Sequence, residues 1–298
     1  MWFKNLLVYR LNKWNETPAT LEEKLSMHAL QACNGLDMQS RGWVSPKADV
    51  EPLVHALGSQ MLISLGIEKK LLPATVINQF AKARAVEIEE QQGYKPGRKQ
   101  MKEIKEAVTD ELLPRAFAIR RKTHAWIDPV GEWMVIDAAN IGKADEVVEM
   151  LIKALDGFSV SLIKSEISPS AAMTGWLAGN DIPSIFTVDQ DCELRGKGGT
   201  GATVRYVRHT LEEEEIAKHI KSGKEVTKLA MTWNDKLSFV MHDNLQLKRI
   251  APLDIIKEQA KADMQDDAFD TDFAIMAGEF KQLLPAIIDA LGGEVRSA

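Results

Sequence analysis

The side chains whose types and spacing suggest chemistry in this chain are cations, and that chemistry is attraction for a polyanion. Lys95, Arg98, Lys99, Lys102 and Lys105 fall between positions 94 and 105, opposed only by Glu103. Arg98, Lys102 and Lys105 recur at spacings of four and three, which stacks them on one face of a helix. A second group, Arg115, Arg120, Arg121 and Lys122, surrounds Phe117, and a third, Arg205 and Arg208, follows Arg195 and Lys197. Neutralising phosphates requires a local basic surface rather than a basic total. Tyr94 and Phe117 lie among these charges and have faces on which exposed bases can stack. The same composition also suits a solvated face with no partner, and Phe117 reads more readily as core than as a stacking platform.

Motifs for other chemistry fall short. Gly196-Lys-Gly-Gly-Thr-Gly201 lacks the spacing of a phosphate-binding loop, and no helix follows it directly, so a hairpin loop is the better reading. The six histidines and two cysteines have no metal-ligand spacing. Asp189, Asp191 and Glu193 are spaced like a segment of a calcium loop, but Leu194 stands where the required glycine belongs. Asp266, Asp267, Asp270 and Asp272 are the one group that could hold a metal for phosphodiester cleavage, and they keep a metal-dependent nuclease open as an alternative. No Gly-x-Ser-x-Gly elbow is present. The expectation is therefore no catalytic residue, no metal and no cofactor.

The elements that must position the cations follow from periodicity. Residues 74–92 and 98–113 read as two helices, entered at Pro73, broken at Gly93-Tyr-Lys-Pro-Gly97 and stopped by Pro114. Their apolar stripe is thin and their surface heavily charged, which predicts a projecting helical hairpin. Around it the pattern is α/β. Strands are expected at 2–11, within 36–45 after a turn, and at 60–65, 125–130, 133–137, 159–163 and 203–208, the one at 60–65 ending at Gly66. Helices are expected at 20–32, 144–155 and 171–178. Thr210 to Glu213 has the pattern of a capping box opening another helix. Residues 226–233, 236–241 and 245–250 form a β-meander, with Lys228, Ala230 and Thr232 alternating against Leu229, Met231 and Trp233. An acidic linker, 263–272, leads into a last helix, 273–291, kinked at Pro285. The fold class is α/β of the α+β kind, with mixed or antiparallel sheets and flanking helices. The chain divides into an N-terminal α/β region (1–73), the hairpin (74–114) and a C-terminal α/β region (115–298).

Composition sets the outer bounds. The chain has 298 residues, 45% hydrophobic and 27% charged, as globular proteins do. No run approaches the roughly 20 apolar residues of a membrane span, and Cys33 and Cys192 alone argue against a disulfide framework. A cytoplasmic, non-membrane protein is expected. The net charge of −6 weighs against a nucleic-acid partner, but its distribution does not. Positions 82–122 carry eleven Lys/Arg against seven Asp/Glu, whereas positions 254–298 carry four against ten. The tail thus accounts for the whole deficit.

Several short blocks, spread in order along the chain, resemble the RdgC family. They are Met-Trp-Phe-Lys-Asn-Leu-Leu-Val-Tyr-Arg-Leu at 1–11, Gly42-Trp-Val44, Leu112-Leu-Pro-Arg-Ala-Phe117, Trp126-Ile-Asp128, Val226-Thr-Lys-Leu-Ala230, Phe239-Val-Met241, Leu247-Lys-Arg249 and Leu291-Gly-Gly-Glu294. The resemblance implies a ring-shaped homodimer whose basic central hole admits duplex DNA. It further implies sequence-independent binding of double and single strands, nucleoid association, and restraint of RecA-type strand exchange in recombination and replication. It implies no catalysis and no cofactor. Arg115 and Phe117, and Lys248 and Arg249, lie in matched blocks. The remaining cations rest on charge alone. The hairpin is the natural candidate for a gate in the ring. A scaffold that uses the basic hairpin to bind an acidic protein is the main alternative.

Overall fold

The computed structural model of the chain describes residues 1–47, 52–179, 182–196, 201–262 and 268–295. Among these residues, twelve strands form one sheet. In chain order these are β1 (Asn5–Leu11), β2 (Gln39–Val44), β3 (Val54–Leu57), β4 (Gln60–Lys70), β5 (Ala118–Asp128), β6 (Trp133–Asp137), β7 (Val160–Leu162), β8 (Phe186–Gly196), β9 (Thr203–Tyr206), β10 (Lys224–Trp233), β11 (Leu237–His242) and β12 (Leu247–Pro252). The spatial order is β2-β4-β5-β6-β1-β12-β11-β10-β8-β9, with β3 beside β4 and β7 beside β1. Every ladder between these strands is antiparallel. The helices are α1 (Pro18–Ser26), α2 (Ala74–Gln92), α3 (Arg98–Leu112), α4 (Ile141–Ala154), α5 (Pro169–Leu177), α6 (Glu213–Lys221), α7 (Asp254–Ala262) and α8 (Ala268–Ala290). This is the expected mixed α/β class. No described helix is long and apolar enough to cross a membrane.

Alternation along the strands sorts the apolar residues onto two sheet faces. Leu6 and Val8 of β1 join Leu62, Trp126, Val135, Leu229, Met231, Phe239 and Met241 in a core under α8, which contributes Phe273, Met276, Phe280, Leu283 and Ile287. Leu7, Tyr9 and Leu11 join Ile63, Leu65, Ala125, Ile127, Met134 and Ile136 in a second core on the opposite face, under Leu21 and Leu25 of α1 and Val147 and Leu151 of α4. β1 therefore reads as a continuous apolar run, as a strand buried on both faces should. Among the described residues, the second core takes none from β8 to β12. That half of the sheet is packed on one side only.

The helices α2 and α3 occupy the expected positions. Their buried residues, Ala81, Ile104 and Val108, form a third small cluster of their own. Arg84 pairs with Glu111 at 3.0 Å, and Gln92 with Gln100 at 3.1 Å, so the two helices lie side by side in opposite directions.

Several elements differ from the sequence reading. β4 does not stop at Gly66 but runs on to Lys70. A Cβ on Gly66 would come within 2.6 Å of the Val44 side chain, so the glycine permits close strand packing rather than ending the strand. β5 begins at Ala118, which places Arg120, Arg121 and Lys122 on a strand. β3, β8 and α7 are additional elements. The capping box at Thr210 does not form, because α6 starts at Glu213 with Glu212 as its uncapped first position. Glu213, Glu214 and Glu215 meet the positive end of that helix instead. A capping box is present at Thr17 and Thr20 of α1. The last helix starts earlier, at Ala268, and continues through Pro285. Both cysteines are free.

Candidate nucleic-acid interface

The uncovered face of β8 to β12 carries charge where the other face carries core. Strand register aligns Arg205 of β9, Glu193 of β8, Lys228 of β10 and His242 of β11 in one cross-strand row. The neighbouring row is Ala230, Val240, Lys248 and Asn5. Arg205 donates through Nε to Glu193 at 2.5 Å, and Lys228 donates to the same carboxylate at 2.9 Å. Arg249 donates to Asp191 at 3.2 Å. These cations, with Lys248, border a cavity of 380 Å³ that Asp191, Glu193 and His242 also line. Four Lys/Arg against two carboxylates leave the cavity with a surplus of two positive charges.

The protonation states follow from this setting. Burial pushes the Glu193 carboxyl up, but hydrogen bonds from Lys228, Arg205 and Thr227 more than offset it and hold the group below its ordinary range. Burial, then the positive charges of Lys248 and Lys228, push His242 down to about 4, so it is neutral at physiological pH. Burial and the adjacent Glu193 push the Cys192 thiol up to about 12. A thiol so fully protonated is no nucleophile.

The second basic surface is the α2–α3 pair. Lys95, Arg98, Lys99, Lys102 and Lys105 are all exposed. Lys102 has an ionic neighbour, Glu106 at 3.6 Å. Tyr94 at the turn is 65% exposed.

The predicted group around Phe117 does not converge. Arg115 is exposed in a single 3-10 turn. Phe117 is 85% exposed, so it is not a core residue. On β5, Arg120 and Lys122 alternate with Trp126 toward α8, whereas Arg121 alternates with Ala125 and Ile127 toward the α1 and α4 side. Arg120 pairs with Glu68 at 2.6 Å, and Lys122 donates to the Ser45 carbonyl at 2.9 Å. The Cys33 N–H and then Arg120 hold the Glu68 carboxyl below its usual value. Arg205 and Arg208, by contrast, stand beside Lys248 and Arg249: Arg205 lines the same cavity, and the Arg208 N–H donates to Asp191 at 2.8 Å.

Asp189, Asp191 and Glu193 sit on the extended strand β8, not in a calcium-type loop, and Asp189 accepts from Thr232. Asp270 contacts Lys47 and His55, each at 3.3 Å, and Asp272 pairs with the amino group of Met1. Asp266, Asp267 and Lys197 lie outside the described residues. Among those described, no three His, Cys, Asp or Glu side chains converge as a metal site would require. Sequence reasoning missed Lys228, Glu193, Asp191 and His242 as members of one surface. The signal available was the polar side of the β10 alternation.

An open sheet face whose cations sit in one cavity is suited to contact a polyanion, and its chemistry is electrostatic. Comparison with known proteins narrows this class. The family model described as "Putative exonuclease, RdgC" matches residues 1–294. The chain is 55% identical over 298 residues to the recombination-associated protein RdgC of Janthinobacterium sp. (strain Marseille), covering 99% of both chains. It is 56% identical over 297 residues to that of Herminiimonas arsenicoxydans, again covering 99% of each. With that of Bordetella pertussis it shares 54% over 299 residues, 99% of this chain and all of the relative. The chain belongs to the RdgC family.

Proposed function

We propose that this protein binds DNA without reading its sequence and acts in recombination, as the name of its relatives states for them. The observation that carries this reading is the open face of β8 to β12. A sheet face that could have been covered by a helix is left bare and carries Arg205, Lys228, Lys248 and Arg249 around one cavity. Cations at such a surface contact phosphates, which fix position but convey no sequence. Duplex and single strands both present phosphates, so both are ligands. The exposed Lys95, Arg98, Lys99 and Lys105 add a second basic surface.

The assembly proposed is a homodimer closed into a ring around duplex DNA in the nucleoid, restraining RecA-type strand exchange by occupying the DNA. A two-fold ring needs two separate self-complementary contacts. Residues 74–114 form one as a gate, with their own small core and the exposed Leu71 and Phe117 beside their base. Retention by topology tolerates individually weak phosphate contacts.

The test is titration of labelled duplexes of unrelated sequence with salt, with and without magnesium. Equal affinities that fall steeply with salt, with the DNA left intact, are expected. No binding at low salt would overturn the reading in favour of a protein scaffold. Cleavage with magnesium would favour the exonuclease of the family description.

A further inference from the structure

Two of the arginines on this face have a backbone conformation that their residue type disfavours. Arg208 has φ +52° and Arg249 φ +55°. Among the described residues, the other non-glycine positions with positive φ are Glu132, Asn234, Asp235 and Leu245, and each lies in a tight turn between consecutive strands. Arg249 instead lies inside β12. The register there slips: Ser238 faces Ala251, yet Val240 faces Lys248, which leaves an extra residue on β12. This is a β-bulge, a device that re-aims a side chain. A long, charged side chain held in left-handed backbone persists only where its surroundings enforce it, and such strain gathers at functional sites.

One side chain contacts both. Asp191 accepts the backbone N–H of Arg208 on Oδ1 at 2.8 Å and the Arg249 Nη1 on Oδ2 at 3.2 Å. The carboxylate is 29% exposed, and the Arg249 side chain above it is 76% exposed. Arg249 thus gives one nitrogen to the protein and keeps its remaining donors for solvent. A guanidinium fixed in this way presents a fork matched to a phosphate.

We infer that Asp191 is a positioning residue. It anchors Arg208 and Arg249 so that, with Lys248, they form a fixed phosphodiester-binding site on the open face. The inference rests on the DNA-binding reading above and assigns a portion of that surface. It predicts an effect opposite in sign to simple electrostatics. A carboxylate on a DNA-binding face repels phosphate, so its removal should tighten binding unless it also holds the cations in place.

The experiment measures duplex affinity and its salt dependence for Asp191→Ala, Asp191→Asn, Arg249→Gly and Lys248→Ala, with a thermal melt for each. Asp191→Ala is expected to weaken binding roughly tenfold and to flatten the logarithmic salt slope by about one, the share of one phosphate. Asp191→Asn keeps one of the two acceptor oxygens and puts an NH2 donor in place of the other, so it holds only one of the two arginines and should weaken binding by about threefold. Arg249→Gly relieves the strained backbone, so its melting temperature should hold or rise while binding falls about tenfold. Unchanged or tighter binding by Asp191→Ala would overturn the positioning role, provided Lys248→Ala still weakens binding. If Lys248→Ala and Arg249→Gly both leave affinity untouched, the open face is not the DNA site, and the proposed function loses its location. If the Asp191→Ala chain melts early, Asp191→Asn decides: weaker binding at a parental melting temperature supports the positioning role, and unchanged or tighter binding overturns it.

Discussion

The two halves of the sheet use strands of the same kind and finish them differently. From β4 to β1 both faces are packed, by α8 on one side and by α1 and α4 on the other. From β8 to β12 the α8 side is packed with Leu229, Met231, Phe239 and Met241, while the opposite side carries Arg205, Lys228, His242 and Lys248. Packing both faces of the whole sheet would have buried more apolar area. The bare half gives up that stabilisation and gains a surface free to take a ligand. Stability and binding are therefore expected to separate along the sheet.

The largest effect expected from this separation is a loss of fold with no direct effect on the binding surface. Trp126 is fully buried in the covered half, edge-on to Phe280 at 6.0 Å, and donates through Nε1 to Gln60. Trp126→Ala should cost about 3–5 kcal/mol of unfolding free energy, because a cavity replaces the ring. Chemical denaturation checks this, and the fraction still folded should bind DNA with parental affinity. A variant that melts normally would show that the two-sided core does not dominate stability.

The reverse experiment sits on the bare half. Lys228→Ala combined with Lys248→Ala removes no apolar core and leaves every strand pairing in place. Its unfolding free energy should fall by no more than about 1 kcal/mol for each substitution, because Arg205 and Thr227 still hold Glu193 when Lys228 is gone. Its DNA affinity should fall by at least tenfold, with the salt slope flattened by about two. A large loss of stability with normal binding would mean the lysines hold the sheet together and nothing more.

The same contrast explains which regions of the fold were legible in the sequence. The covered half announces itself through near-continuous apolar runs, and the β10–β12 meander through apolar alternation. β8 does not: in Phe186–Gly196 only Phe186, Cys192 and Leu194 are buried, and the strand carries Asp189, Asp191, Glu193 and Arg195. Those polar residues give it the look of an ion-binding loop. They are polar because they face the bare side, so the feature that gives the surface its chemistry also hides the strand. Arg120, Arg121 and Lys122 show the converse. Adjacent in sequence, they form an apparent cluster, but strand alternation sends Arg121 to the face opposite its neighbours. The two ends of the chain, each matched to the family in sequence, meet in space. The Arg10 guanidinium lies 3.5 Å over the Trp133 ring and is held by both oxygens of Glu294. No spacing rule joins residues so far apart along the chain.

The smallest expected effect, and the sharpest contrast, comes from two histidines, one in each half. His124 is largely buried, stacked on Phe3 and hydrogen-bonded to Ser64, and burial, followed by Lys122, pushes it down to about 4. In the unfolded chain it titrates near its ordinary 6.5. As pH falls from 6.5 toward 4 the unfolded state takes up the proton and the folded state does not, so stability drops across that window. His242 is also held at about 4, but by burial together with Lys248 and Lys228 on the bare face. Phosphates bound beside those lysines would cancel some of their charge and raise the His242 value. Binding then takes up a proton, and affinity should increase as pH falls from about 6 toward 4. His242→Gln should flatten that increase, a change of a few fold, while His124→Gln should flatten the pH dependence of melting and leave that of binding alone. Anisotropy titrations and melts across the same pH series would separate the two. If His242→Gln changes only the melting profile, then His242 is structural like His124, and the bare face ends short of it.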